Sequence, residues 1–311
     1  MIDAAFALLE AASADPSPRR RLLALRNAGE ALAEAVRAGA SVEVRCHTGE
    51  RMVLERELAL PTLRSPFAFS LPAFVSVERR IWQIDRTLID PSSDVRVTPF
   101  FERFAQRHPL RHRALDARST PPIDPERIEQ IVLTTLRYQS LAWLLDRYPR
   151  AVISVHPYEH ARYLEPAPGE RAAYERDPVI SHERLVFGDA GPLPCGAVLV
   201  NTPGLGPGSR SVLANHRGTL RLFSPHGVAL DAWTPYESKL PGLREHLRLR
   251  DIEVCPRGDS DPEASSVSMG LERVLADRRK DAPAFFEITP SLELVASTFS
   301  WLTPTVRASL S

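Results

Sequence analysis

An α/β layered fold is predicted for this chain of 311 residues by three observations. Segments with strand-type alternation and segments with helix-type periodicity interleave along the chain instead of segregating into separate halves. A block from Leu185 to Leu230 alternates short apolar runs with Gly/Pro turns. The composition, 43% hydrophobic and 25% charged, suits a globular chain with enough residues for one large core or two smaller ones.

The elements follow in order. Ala4 to Ala38 carry Leu8, Leu9, Leu22, Leu23, Leu25, Leu32 and Val36 among alanines and charges, interrupted at Asp15-Pro16-Ser17-Pro18. Two helices are expected, forming an N-terminal extension over residues 1–40 ahead of a main domain over 41–311. Val42 to Cys46 and Met52 to Leu58 alternate on either side of Thr48-Gly49-Glu50, which predicts a hairpin. Strands are expected at Phe74–Val77, Ile81–Ile84 and Thr87–Asp90, then a helix at Pro99–Phe104 and a loop at Pro121-Pro122. Ile128–Thr134 reads as a strand, Leu141–Leu145 as a helix, Ala151–Val155 as a strand and Met269–Arg279 as a helix. No internal repeat or low-complexity tract interrupts this order.

Lys+Arg and Asp+Glu both number 39, so there is no overall field to gather nucleic acid or an anionic membrane, and neither is expected as a partner. Arg19-Arg20-Arg21 and Arg278-Arg279-Lys280 are expected to be solvated helix faces or ends. No apolar run approaches the roughly 20 residues that span a bilayer, and the first residues lack the charge and apolar order of a secretory leader. A cytoplasmic location is therefore expected. Cys46, Cys195 and Cys255 are widely spaced and form no C-x-x-C pair, which fits a reducing compartment and three small buried hydrophobes rather than a thiolate metal site.

Five segments, in order, resemble the metallo-β-lactamase fold. Thr87-Leu88-Ile89-Asp90-Pro91 is similar to the strand that ends in an Asp-Thr-Gly-type turn. Ile131 to Ser140 matches the strand leading into Thr-His-x-His-x-Asp-His, and Leu199 to Ser211 the Thr-Pro-Gly-His-Thr-x-Gly box. Leu220 to Gly227 resembles the Phe-Ser-Gly-Asp strand, and Val254 to Gly258 a last strand ending at Pro-x-His-Gly. The box, here Thr202-Pro203-Gly204-Leu205-Gly206-Pro207-Gly208-Ser209, is the most specific of them. The resemblance runs from about Val42 to Asp259 and implies a four-layer αββα sandwich with its site at one edge, between the sheets.

The same resemblance implies a zinc site, and the residues at its positions do not supply one. Thr135 and Arg137 stand at the first two histidine positions, Gln139 at the aspartate, Ser140 at the next histidine and Leu205 at the histidine of the box. His226 stands near the bridging aspartate and Arg257 at the last histidine. Zinc sites are built from neutral imidazole nitrogen and anionic carboxylate or thiolate, and of these seven residues His226 alone qualifies. Arg137 is adverse as well as unsuitable, because a fixed cation among would-be ligands repels a divalent ion by several kcal/mol at short range. Sliding any segment by a residue or two brings no His, Asp or Glu cluster into place. No metal and no other cofactor is therefore expected, and with them the polarising charge and the hydroxide source of the family's hydrolysis are lost.

Other patterns compete. His156-Pro157-Tyr158-Glu159-His160 matches H-x-x-E-H, but Pro157 belongs at a first helical position, which leaves His156 outside the helix and facing away from His160. These residues are expected to be surface or capping groups. Gly204, Gly206 and Gly208 lack the crossover and the Lys-Ser/Thr of a phosphate loop and are expected to form a tight turn. Ser209, Ser211 and Ser224 lie near His216 and His226 in sequence without a nucleophile-elbow pattern. Trp82, Phe100, Phe101, Trp143, Phe187, Trp233, Phe285, Phe286 and Trp301 are spread as core residues are. Phe67, Phe69 and Phe74 among prolines could pack inside or face a partner.

The expected function is that of a catalytically inactive relative of metallohydrolases, acting as a scaffold, a regulatory subunit or a binding module, with a protein partner or a second copy of itself. The alternative is a hydrolase that works without zinc or with an atypical metal site at His226. In the old cleft Arg137 and Arg257 are expected to converge, with Gln139, Ser140 and His226 around them, either on a small anionic ligand or on acidic neighbours of the chain itself.

Overall fold

The computed structural model describes residues 1–55, 74–91, 123–175, 178–238 and 253–294. Two helices open the chain, α1 at Ile2–Ser13 and α2 at Pro18–Arg37. They break where the sequence predicts. Asp15 accepts the Ser17 N–H at 2.8 Å, and Pro18 takes the first helical position, where its missing N–H leaves no carbonyl unserved.

One sheet begins with β1 at Val44–Glu55 and β2 at Phe74–Ile84, antiparallel from Val44↔Ile84 to Glu55↔Phe74. The expected hairpin around Thr48-Gly49-Glu50 is thus corrected to one long strand. The register shifts between Thr48 and Arg51, so the turn-forming residues make a bulge that accommodates extra residues without reversing the chain. Strand β3 at Thr87–Ile89 pairs antiparallel with β2. Beyond it β4 at Gln130–Val132, β5 at Val152–Val155 and β6 at Leu185–Phe187 run parallel to one another and to β3. The second sheet comprises β7 at Gly191–Pro192, β8 at Val198–Asn201, β9 at Arg210–His216, β10 at Thr219–Ser224 and β11 at Ile288–Pro290, in the order β11-β10-β9-β8-β7. Strand β12, Leu292–Leu294, returns to the first sheet and pairs with β2.

The parallel strands need crossovers, which helices α3 at Leu141–Arg147 and α4 at Pro157–Leu164 supply. Among the described residues one further α-helix, α5, spans Pro262–Leu275. Three apolar clusters fill the three spaces between four layers. Between the sheets, Trp82, Ile89 and Val132 meet Leu199, Val212 and Phe223, with Trp82 and Phe223 edge to face at 5.5 Å. On the outer face of the first sheet, Leu88, Ile131 and Ile153 pack on Leu141, Leu144 and Tyr163. On the outer face of the second, Val200, Leu213 and Leu222 pack on Leu9, Leu32 and Val36 of the first two helices and on Met269 and Leu275 of α5. This is the αββα sandwich, with the N-terminal helices in one of its outer layers.

Several expectations are corrected. Val254 to Gly258 is no strand: it is irregular chain whose Cys255 N–H reaches Ala232 C=O at 2.7 Å. Helix α5 starts seven residues before the expected Met269 because Asp261 caps it, accepting from Glu263 N and Ala264 N, with Pro262 following. Of the cysteines only Cys255 is buried. Arg279 is buried against Asp281, which it holds bidentately, and Arg278 lies 3.9 Å over the Phe286 ring. Trp82, Trp233, Phe285 and Phe286 are core residues, whereas Phe187 is 52% exposed. The helix expected at Pro99–Phe104, the Pro121-Pro122 loop, Phe67, Phe69 and Trp301 lie outside the described residues.

Candidate functional site

The edge between the sheets is formed by the loop after β4, the box between β8 and β9, the turn after β10 and the irregular segment before α5. All seven positions of the resemblance are buried here. Leu205, at 1% exposure, presents an apolar side chain where the box would carry a histidine. Around it the box keeps its turn. Gly204 sits at φ +141, and a Cβ there would fall 2.3 Å from Ser265 Oγ. Gly206 lies so close to Glu159 that a Cβ would stand 1.8 Å from its Oε1.

Arg137 and Arg257 converge, as expected, and the anion they meet belongs to the chain. Arg257 donates Nε and Nη2 to Asp259 Oδ1 and Oδ2 at 3.0 and 2.7 Å, a bidentate fork. Arg137 Nη1 donates to the Asp259 backbone carbonyl at 2.6 Å and lies 3.4 Å from its Oδ2, while its Nη2 pairs with Glu170. Tyr138 donates its hydroxyl to Asp259 Oδ2 at 3.2 Å. Burial disfavours the charged form of Asp259, yet Arg257 and Arg137, with hydrogen bonds from Arg257 and Tyr138, hold its carboxyl below the usual value. It is an ionised carboxylate between two guanidinium groups.

The other positions have found partners too. Thr135 Oγ1 donates to Glu159 Oε2 at 3.0 Å, and the same carboxylate takes Leu136 N–H at 3.0 Å and Gly208 N–H at 3.3 Å. Glu159 therefore ties the loop after β4 to the box. Ser140 caps α3 by accepting Trp143 N–H at 3.1 Å and donates to Glu175. Gln139 is buried in the same loop, its N–H on Leu136 C=O at 3.3 Å. His226 donates Nε2 to the Thr202 carbonyl at 2.7 Å and lies 4.0 Å from Glu272 Oε1. Burial, aided by Arg257, outweighs Glu272 and keeps this ring's affinity for a proton below normal, so it is neutral with Nδ1 unprotonated and unpartnered among the described residues. Glu272, fully buried, accepts Ser211 Oγ, Ser224 Oγ and Trp233 Nε1 at 2.6 to 2.7 Å.

Zinc does not fit this set. The one imidazole at the metal positions is His226, the carboxylates of Asp259, Glu159 and Glu272 each accept from three donors of the chain, and no group of three His, Cys, Asp or Glu residues able to hold a metal occurs among the described residues. Restoring the box ligand alone should not restore binding: Leu205→His is expected to show no zinc-dependent rise in melting temperature and to lose about 2–4 kcal/mol of stability, since a polar ring replaces a buried leucine. Denaturant unfolding with and without zinc measures both effects.

The serines form no hydroxyl–imidazole pair with His216 or His226 among the described residues. Ser211 and Ser224 serve Glu272, Ser209 Oγ bonds Gly206, and His216 Nδ1 meets Val44 N–H at 3.0 Å. In the H-x-x-E-H segment His156 caps α4 by accepting Tyr158 N–H, as expected, but Glu159 and His160 are buried rather than on the surface. Asp259, Glu159, Glu170 and Glu272 are the acids that partner these positions, and sequence reasoning did not assign them there. Asp259 was discernible only as the acid two residues after Arg257.

Asp90, at the end of β3, is fully buried with φ +46 and takes both Thr134 N–H, at 2.7 Å, and the Thr134 hydroxyl. Burial pushes its carboxyl up to about 6 against the lowering by Thr134, Arg79 and Arg210. A raised value means that the folded chain favours the protonated acid. Its contribution to stability is present below pH 3.8 and is lost as pH rises through about 6. Asp90→Asn is expected to flatten the fall in melting temperature over that interval, read from thermal unfolding of both proteins at a series of pH values.

No protein-family model matches the chain, and no curated protein matches it in sequence. Solved structures do match in shape. A probable metal-dependent hydrolase from Staphylococcus aureus aligns with TM-score 0.52 at 12% identity over 75% of this chain and 83% of its own. AidC, a dizinc quorum-quenching lactonase solved with the product N-hexanoyl-L-homoserine, aligns with TM-score 0.50 at 13% identity over 84% of this chain and 96% of its own. At such identities the likeness concerns the fold. Layer order, motif order and these structural matches together make this chain a protein of the metallo-β-lactamase fold.

Proposed function

We propose that this protein does not carry out zinc-dependent hydrolysis and acts as a binding or scaffolding member of its fold, with the old metal cleft closed by its own side chains. The observation that carries this reading is Asp259 held between Arg257 and Arg137 at the place of the last ligand. An external anion at these arginines would have to displace a tethered carboxylate whose local concentration no dilute ligand matches. Val186 and Phe187, 42% and 52% exposed on β6 at an edge of the first sheet, support a role in contact with a protein partner. A panel of lactones, thioesters and phosphodiesters, assayed with and without added zinc, tests the proposal. No turnover above background is expected, and zinc-dependent turnover overturns it.

A second reading, a hydrolase of this fold with an atypical centre, is favoured by one feature: the buried His226 with its Nδ1 unpartnered beside Glu272. The solved structures alike in fold are named as hydrolases, which agrees with it. If it holds, turnover in the same panel is lost in His226→Ala.

A further inference from the structure

A cavity of about 690 Å³ lies on the outer side of the box, between the N-terminal helices and α5. Pockets that enclose small organic ligands occupy roughly 300–1,000 Å³, with mostly apolar walls and a few placed polar groups. Its apolar wall is Phe6, Leu9, Leu25, Val200, Val267 and Leu271. Pro203 and Pro207 of the box also line it, while none of the seven metal positions does.

The polar end is built by His156, Asp189 and Asn201. His156 is only 5% exposed. Its Nδ1 accepts Tyr158 N–H at 3.1 Å, which leaves the proton on Nε2, 3.6 Å from Asp189 Oδ1 and beyond a direct hydrogen bond. Asn201 Nδ2 and the Ala190 N–H fix Asp189 by donating to the same oxygen. The hydrogen bond from Asn201, with the Ala190 N–H and the His156 ring, outweighs the opposing effect of burial and sets the Asp189 carboxyl below its usual value, so it is charged at neutral pH. Glu10, Asp261 and Glu263 stand around the opening, and Arg21 is the one cation among the described lining residues. Four carboxylates against one guanidinium give this cavity a negative field beside an apolar wall.

We propose that this cavity binds a small amphipathic cation, an organic amine whose alkyl or aryl body lies against Leu9, Leu25 and Leu271 and whose ammonium meets Asp189. The site uses the N-terminal helices as one wall, which gives that extension a role besides packing. It is independent of what happens in the old metal cleft, so neither reading of that cleft decides it.

Isothermal titration of the full chain at pH 7 with n-octylamine, octanoate and 1-octanol tests the proposal. The amine should bind saturably at one site per chain, and octanoate should bind at least about tenfold more weakly, the scale of one charge-assisted contact. Asp189→Asn, a conservative change at an exposed side chain, should weaken the amine by about tenfold and leave octanol unchanged. Val267→Trp should fill the cavity and remove binding of the amine and of octanol, with circular dichroism reporting whether the chain is folded. The proposal is overturned if the wild type gives no saturable heat with octylamine, or if octanoate binds as tightly. It also fails if the amine binds Asp189→Asn, or a folded Val267→Trp, as it binds the wild type.

Discussion

Asp259→Ala is expected to lower the free energy of unfolding by about 3–5 kcal/mol, the cost of stranding buried charge when one partner is removed. Arg257 is 2% exposed and loses its carboxylate outright, while Arg137, 3% exposed, keeps Glu170. The same substitution uncovers the anion site that the two guanidinium groups could form. Acetate or phosphate should therefore raise the melting temperature of Asp259→Ala and leave that of the wild type almost unmoved. An equal response in both proteins would mean that Asp259 does not fill the site. The sign of the pH effect agrees: a depressed carboxyl contributes stability above its ordinary value and loses it as pH falls through the folded value, so the variant should lack part of the wild type's acid sensitivity.

Glu272→Ala carries the second large effect, again about 3–5 kcal/mol. Its carboxylate is the common acceptor of Ser211, Ser224 and Trp233 from β9, β10 and the turn beyond, so its loss strips this acceptor from three buried donors, of which Ser211 has another hydroxyl, Thr202 Oγ1, at 2.9 Å. Denaturant unfolding gives the magnitude. Trp233 reports the location, since its indole N–H bonds Glu272 at 2.7 Å and its emission should shift in the folded variant. A loss below about 1 kcal/mol, the scale of one ordinary hydrogen bond, would mean that water or a neighbour replaces the acceptor.

The apolar run Thr87-Leu88-Ile89 was enough to place a strand, and Asp15 to Pro18 enough to divide the first helices, because those signals are local. Thr48-Gly49-Glu50 misled since the same residues serve a bulge as well as a turn, and the choice depends on a partner strand. Asp261-Pro262 was a readable helix start, hidden because attention to apolar spacing alone begins the helix at Met269. In the site, the residues at the seven positions could be read one by one from Thr135 to Arg257. What they pair with could not. Arg137 finds Asp259 122 residues away and Thr135 finds Glu159 24 residues away, and pairing at such separations is decided by the fold. Whether the converging arginines meet a ligand or the chain is likewise a question about where Asp259 points.

A metal cleft rebuilt as a closed network of ion pairs and hydrogen bonds should hold no zinc. Zinc content measures it most directly: protein purified without chelators, dialysed against excess zinc and then against buffer, is analysed for metal per chain and for melting temperature with and without chelator. A closed cleft requires substoichiometric zinc and no change on chelation. Stoichiometric zinc, with a melting temperature that falls when it is removed, would contradict it.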